Sequence, residues 1–450
     1  MTRIAVAILL LGLSSGLYAD GGYAIVLRDN TALRPAASGT ARPHTLLSQG
    51  ETVEVRGERL EYLQVYDYRR ERGGYVRSSQ VRRIALTPEE APELLAILKF
   101  LRATPGNEAL GIAFAAAYIE AAPPQALKGA AGIEALDAFG TLAERLARSA
   151  RSNLEVATQY GARFVTVERN GRLRLCYDGG AFRRLLAMAA SDEQRARAAL
   201  ALSEPDCQPS DLSPVERRER DERRASALDA MNDAALAGYL RNRLLARRAA
   251  VWSSLAWQRQ RFGGDSHAAA ERALLSLDAI DRSELADADQ AAYREARVRV
   301  AASRWALATA PSPVPGKAPH IATASGEDGQ TCVLLVDRAN GMANPLAKRC
   351  TYGVVWTASA TLNREGSALA LAVQPGDAWR ELWLFRRTKR GWQLRIVPPA
   401  AVNPDVGYAE FAGWVSGGRV RIVREALAGG IANRNFQLVT LNEFTPRRKS

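Results

Sequence analysis

Between Ala24 and Ile84 apolar and polar residues alternate in short runs, and turn residues separate the runs. Ala24–Leu27 is apolar. Leu33-Arg34 precedes Pro35 and a Gly/Ser/Pro loop, and Leu46–Val55, Glu61–Tyr68 and Gly73–Val81 follow. Side chains on a strand point alternately to its two faces, so the pattern predicts a small antiparallel barrel of about five short strands. The same period puts Tyr62, Gln64, Tyr66 and Tyr68 on one face and Leu63, Val65 and Asp67 on the other. The Leu/Val face reads as core and the tyrosine face as exposed or groove-lining. Arg69, Arg70 and Arg72 follow at the hairpin tip, so the stretch presents an aromatic shelf with a basic rim. Tyr66, Tyr68 and Tyr75 are its candidate ligand-binding residues.

From Thr87 the period changes to that of helices. Thr87-Pro88-Glu89-Glu90 supplies a cap, a first-turn proline and acids for a helix over Pro88–Arg102. A second helix covers Glu108–Ala121 and stops at Pro123-Pro124, and residues 125–160 continue as Ala-rich helix. One β-hairpin interrupts at 163–177, turning on Asn170-Gly171. Ser213 and Glu216 form a capping box for a helix that runs on to Phe262, and His267–Ile280 and Ala286–Ala308 complete the helical part. The dense mixed charges of Glu216–Arg224 suit a solvated helix face. Nucleic-acid binding wants an unopposed basic stripe with aromatics, which this run lacks.

Pro311, Pro313, Pro315 and Pro319 mark a linker, and beyond them the pattern is that of strands. Candidates are Thr331–Asp337, Gly353–Ala358, Ala368–Val373, Glu381–Arg386, Gln393–Val397, Tyr408–Val415, Val420–Arg424 and Phe436–Leu441. The stretches beginning at Val354 and Phe411 resemble each other as two blade-like meanders. Two blades cannot close a propeller, so a packed pair of sheets is expected. Trp356, Trp379, Trp383, Trp392 and Trp414 read as sheet core, with a sugar-binding surface as the alternative. The fold class expected is therefore multidomain α+β. A small barrel at 20–86 is followed by a mostly helical domain at 87–310, a Pro-rich linker at 311–319 and an antiparallel β domain at 320–445.

Composition adds an address. The 450 residues are 47% hydrophobic and 24% charged, ordinary for folded domains. Arg3, the apolar run Ile4–Leu13 and the small residues ending at Ala19 form a secretory signal peptide over 1–19, with cleavage after Ala19. No later stretch reaches the ~18 apolar residues of a membrane helix, so the mature chain is expected to be periplasmic or secreted. Cys176, Cys207, Cys332 and Cys350 fit that compartment as disulfides. Three pairings are open; the simplest joins Cys176 to Cys207 and Cys332 to Cys350, each within one expected domain. No Cys-x-x-Cys occurs and His44, His267 and His320 are scattered, so neither a metal nor a cofactor is expected. The formal charge of +13 is carried mostly by arginine and is interleaved with acids. That pattern points less to an anionic polymer than to general surface composition.

The order of runs at 24–84, with the second-strand pattern Gly50-x-x-Val53-x-Val55, an aromatic strand and the closing Gly74-Tyr75-Val76, resembles the bacterial SH3-like (SH3b) domain family. The resemblance implies recognition of a cell-wall peptide or of an envelope protein. It covers under a fifth of the chain. Such domains often precede cysteine peptidases of the NlpC type, and Cys207, His267 and His320 occur in that order. Here, however, Gln208-Pro209 replaces the small residues that follow the family's cysteine. No Gly-x-Ser-x-Gly, Ser-x-x-Lys, His-Glu-x-x-His or phosphate-binding loop occurs. The expectation is a secreted, non-enzymatic binding or scaffold protein. The alternative is a peptidoglycan hydrolase whose catalytic residues form no recognised motif.

Overall fold

Turn residues cut the N-terminal alternation into seven strands: β1 (Tyr23–Val26), β2 (Thr31–Leu33), β3 (Thr45–Leu47), β4 (Thr52–Arg59), β5 (Tyr62–Asp67), β6 (Arg72–Arg77) and β7 (Val81–Ile84). The structure is a computed structural model that describes residues 22–149, 153–169, 172–209, 211–309, 318–401 and 406–441. The expected signal peptide, the Asn170-Gly171 turn and most of the Pro-rich linker lie outside the described residues. The chain divides into two compact units, Met1–Ala190 with Pro205–Ser210, and Ser191–Glu204 with Asp211–Ser450. The division falls inside the stretch expected as one helical domain at 87–310.

In the first unit the strands form an antiparallel sheet in the order β6-β5-β4-β1-β7. No ladder among the described residues joins β6 to β7, so closure into a barrel is not seen. The two faces are used differently. Val53, Val55, Leu63, Val65 and Val76 pack with Leu33 and Leu47 of the separate β2–β3 pair. Residues of the opposite face at the β1–β7 end, Ile25 and Ile84, join the core of the helices instead. A sheet with apolar residues on both faces is buried by a layer on each side and has no need to close on itself.

The helices of this unit are α1 (Ala91–Ala103), α2 (Glu108–Ala121), α3 (Pro124–Lys128), α4 (Ala130–Ser149), α5 (Leu154–Gln159) and α6 (Gly180–Leu186). The hairpin β8 (Phe164–Arg169) and β9 (Arg172–Tyr177) stands between the last two. The α1 helix starts later than the cap at Thr87 implies. Glu90 folds back to accept from the N–H groups of Ala85 and Leu86, at 2.7 and 3.0 Å, and residues 87–90 form a turn. The α2 helix is buried nearly all round and is the centre of the helical core. Cys176 of β9 is bonded to Cys207, closing a loop 31 residues apart in sequence. In the chain-entropy picture such a link stabilises by about 3–4 kcal/mol.

The second unit begins with α7 (Asp192–Leu202), α8 (Pro214–Asp229), α9 (Gly238–Phe262), α10 (Ser266–Asp278) and α11 (Gln290–Ser303). Ser213 and Glu216 do form a capping box at α8. The single helix expected from there to Phe262 is broken at 230–237. Arg248 of α9 explains the break, because it takes the Leu228 carbonyl at 2.9 Å and the Asp233 carboxylate at 2.9 Å and so ends α8.

Strands β10 (His320–Ser325), β11 (Thr331–Val336) and β12 (Ala347–Thr351) form one sheet, with Cys332 directly opposite Cys350 and bonded to it. Neither β10 nor β12 was expected, since both carry polar or small residues at most positions. The remaining strands are β13 (Val354–Leu362), β14 (Ala368–Gly376), β15 (Trp379–Thr388), β16 (Gly391–Val397), β17 (Val406–Val415), β18 (Arg419–Ala428) and β19 (Ile431–Thr440). They make two antiparallel meanders joined by a short parallel pairing of Trp379 with Gly407 and Arg380 with Tyr408. Val333 and Leu335 of β11 cover one face of β14 and β15, at Leu369, Leu371, Trp383 and Phe385. Ala409 and Ile422 of the second meander cover the other, at Ala370, Leu382 and Leu384. None of the tryptophans is exposed, so the sheet-core reading holds for Trp356 and Trp383 and no tryptophan platform faces solvent.

Arg380, wholly buried, ties α11 to this sheet. Its guanidinium donates to the Ala301 and Ala302 carbonyls at 2.8 and 2.9 Å and pairs with Glu410. Burial pushes it down to about 10, still far above neutrality, so it remains a cation at the carbonyl end of a helix. Arg380→Ala leaves Glu410 buried with one cation fewer and is expected to cost about 3–5 kcal/mol in urea unfolding. Replacing both partners, Arg380→Met with Glu410→Leu, should recover most of the loss. The capping box gives a second prediction. Hydrogen bonds from the Ser213 hydroxyl, then from its backbone N–H, hold the Glu216 carboxyl below the usual range. Its contribution is therefore present above the unfolded value and lost as pH falls through the folded one. Helix-sensitive unfolding curves of Glu216→Gln and the parent chain should differ at pH 6 and converge toward pH 3.

Candidate functional site

Strand pairing decides which tyrosines share a surface. Gln64 of β5 stands opposite Tyr75 of β6, Tyr66 opposite Gly73, and Glu54 of β4 opposite Tyr66. Partners across a ladder point the same way, so Tyr66, Tyr75 and Glu54 lie on one face, the face opposite Leu63 and Val65. Tyr66 and Tyr68 meet edge to face with ring centres 5.0 Å apart. The Arg56 guanidinium stacks over Tyr66 at 3.9 Å, and its Nε pairs with Glu54 at 2.8 Å. The Tyr68 hydroxyl donates to the same Glu54 carboxylate at 3.1 Å. A β-bulge between Val55 and Gly57 lets Arg56 reach the ring. Tyr68 is 62% exposed, while Tyr66 and Tyr75 are half-buried. The three candidate residues thus lie on one face, and two of them touch.

Two expectations about this face are corrected. Tyr62 is buried, not exposed. Arg77 donates to its hydroxyl at 3.2 Å, and the loop at Gly39 lies over it. The basic rim is also not free. Arg70 makes two bonds to Glu51, at 2.8 and 3.0 Å, and one to Asp67 at 2.7 Å. Arg69 pairs with Glu51 at 3.1 Å and with Glu155. Glu51 and Asp67 are almost wholly buried, so these arginines neutralise the sheet's interior acids. The bonds to Glu51 raise the Arg70 guanidinium further above its ordinary value.

A second surface was missed by sequence reasoning, because its residues come from four separate segments. It is a cavity of about 500 Å³ in the first unit. Leu136 and Phe139 of α4, Ile119 of α2, Tyr160 and Tyr177 form its floor, and Arg163, Asp178, Arg183 and Arg184 its rim. The Tyr160 hydroxyl donates to the Gly50 carbonyl at 2.7 Å and lies 2.6 Å from the Thr52 hydroxyl. Burial raises both tyrosines above their ordinary value, so the floor is neutral.

Cys207, the one candidate nucleophile, is in a disulfide. Among the described residues no group of three His, Cys, Asp or Glu side chains lies together as a metal site would need. Compared with known protein families, curated proteins and solved structures, the chain has no match.

The contrast between the two kinds of residue is measurable. Tyr68→Ala removes an exposed ring and should change stability by no more than ~0.5 kcal/mol. Glu51→Ala strips Arg69 and Arg70 of their shared acid and should cost at least ~2 kcal/mol, read by urea unfolding of the oxidised chain.

Proposed function

We propose that the chain is an extracytoplasmic, non-enzymatic binding protein. Its N-terminal sheet works in the manner of a bacterial SH3-like domain, and the face bearing Tyr66, Tyr68 and Tyr75 takes a cell-wall peptide. The observation that carries this reading is the edge-to-face pair of the exposed Tyr68 and the half-buried Tyr66, with Arg56 stacked on Tyr66. Aromatic rings held in place by a neighbouring cation offer large contact area at small entropic cost, the character of binding hot spots. The face opposite carries the core, so these rings are not needed to fill it. Two disulfides, and the absence among the described residues of any helix long and apolar enough to cross a membrane, are compatible with an extracytoplasmic location. The helical and C-terminal β regions serve as scaffold.

Co-sedimentation with purified peptidoglycan tests the proposal. The oxidised chain should pellet with the wall without releasing soluble fragments, and the double variant Tyr66→Ala/Tyr68→Ala should bind at least ~10-fold more weakly. Release of muropeptides would replace the reading with that of a hydrolase. If the chain stays in the supernatant, the wall is not its ligand, and an envelope protein becomes the partner to seek.

A further inference from the structure

We propose that the cavity between α4, β9 and α6 binds a small organic anion, a carboxylate or sulfonate carried on a flat apolar body. The site is separate from the tyrosine face, and its volume lies within the range of small-molecule sites.

The floor is a rigid aromatic cradle. Tyr177 contacts Phe139, Phe164 and Phe182 at ring distances of 6.5, 6.2 and 6.1 Å. Phe182 in turn presses on α4 at Gly140, where a Cβ would come within 2.7 Å of its ring. The Tyr177 hydroxyl accepts from the Ala181 N–H at 2.8 Å, and no acceptor for its own proton is found among the described residues. Burial keeps that hydroxyl protonated, so it can donate to a ligand. Gly161, at φ +83°, turns the chain so that Tyr160 and Arg163, on either side of it, both line the cavity.

The rim is cationic. Arg183 is occupied by Asp178, bonding its carbonyl at 2.6 Å and its carboxylate at 3.2 Å. Asp178 also accepts from the Gly180 N–H at 2.8 Å. Arg163 and Arg184 have no carboxylate partner among the described residues. Elsewhere in this unit many arginines are paired, as Arg69, Arg70, Arg102 and Arg174 are. Two uncompensated guanidiniums at the mouth of an apolar cavity match a carboxylate or sulfonate in charge and in its capacity for paired hydrogen bonds. Neutral aromatics below match a planar body, and a cation would be repelled.

Calorimetric titration of the oxidised full chain with 2-naphthoate and with the neutral 2-naphthamide tests this. Naphthoate should bind at least ~10-fold more tightly than the amide, and more weakly as salt is raised. Arg163→Ala/Arg184→Ala should remove that preference while leaving the unfolding midpoint in place, since both side chains are exposed. Leu136→Trp should block both probes by filling the floor, and Tyr66→Ala/Tyr68→Ala should leave naphthoate binding unchanged. Equal affinity for acid and amide, naphthoate binding that survives the double arginine variant, or no binding at millimolar probe would overturn the proposal. None of these results bears on the peptide-binding face, which the peptidoglycan assay reads separately.

Discussion

A carboxylate taken out of water has to take a cation with it, and in this chain the cation is arginine. Glu51 and Asp67 are buried where the β4 and β5 strands meet the turn at 68–71, and Arg69 and Arg70 close over them. Glu410 is buried in the second unit with Arg380 and Arg304, and Glu425 with Arg297. These pairs do more than cancel charge. Arg380 also donates through Nη1 to the Ala301 and Ala302 carbonyls near the end of α11, so one side chain both neutralises a sheet carboxylate and binds a helix end. Arg248 does the same for α8 and Asp233. The planar fork of arginine, with five donors in fixed directions, makes such double duty possible where a lysine would satisfy one partner.

This use of arginine changes the meaning of the net charge of +13. Each such pair uses an acid as well as a base, so the excess of +13 rests on the basic residues outside the pairs. The guanidiniums without a partner then become informative by their position. Arg163 and Arg184 beside an apolar cavity say more about a ligand than the charges of α8, where Arg223 pairs with Glu219 at the surface and Arg224 with the buried Asp221. The tyrosine face follows the same logic from the other side. Arg56 is held by Glu54 and so presents a fixed, stacked aromatic surface with its charge already balanced.

Much of the local structure was legible in the pattern of residues. The bounds Glu108–Ala121 follow from a Gly-Asn entry and a Pro-Pro exit. The capping box at Ser213 and the hairpin at 163–177 are local chemistry read directly. Errors occur where a distant residue intervenes. The helix expected to run from Ser213 to Phe262 is cut by Arg248, whose target lies twenty residues earlier. Tyr62 obeys the period of its strand yet is buried, because the loop at Gly39, 23 positions earlier, covers it. The β10 and β12 strands have weak propensity and form because Val333 and Leu335 between them need a sheet to belong to.

Sequence alone determined the features whose causes are contained in a few consecutive residues: strand alternation, caps, turns, and four cysteines that invited pairing. It also placed Tyr66 and Tyr68 on one face of their stretch, since a period of two needs no partner to be read, whereas Tyr75 joins them only through the pairing of β5 with β6. Tertiary structure decided how the sheet is finished, covered by β2 and β3 on one face and by helices at the β1–β7 end of the other, because that depends on which apolar residues of other elements reach it. It decided that Arg69 and Arg70 serve the interior, while Arg163 and Arg184 line a cavity with no carboxylate partner among the described residues. Charge is written in the sequence, but whether a charge is spent or available is set by the distance to its partner, and only the folded chain fixes that distance.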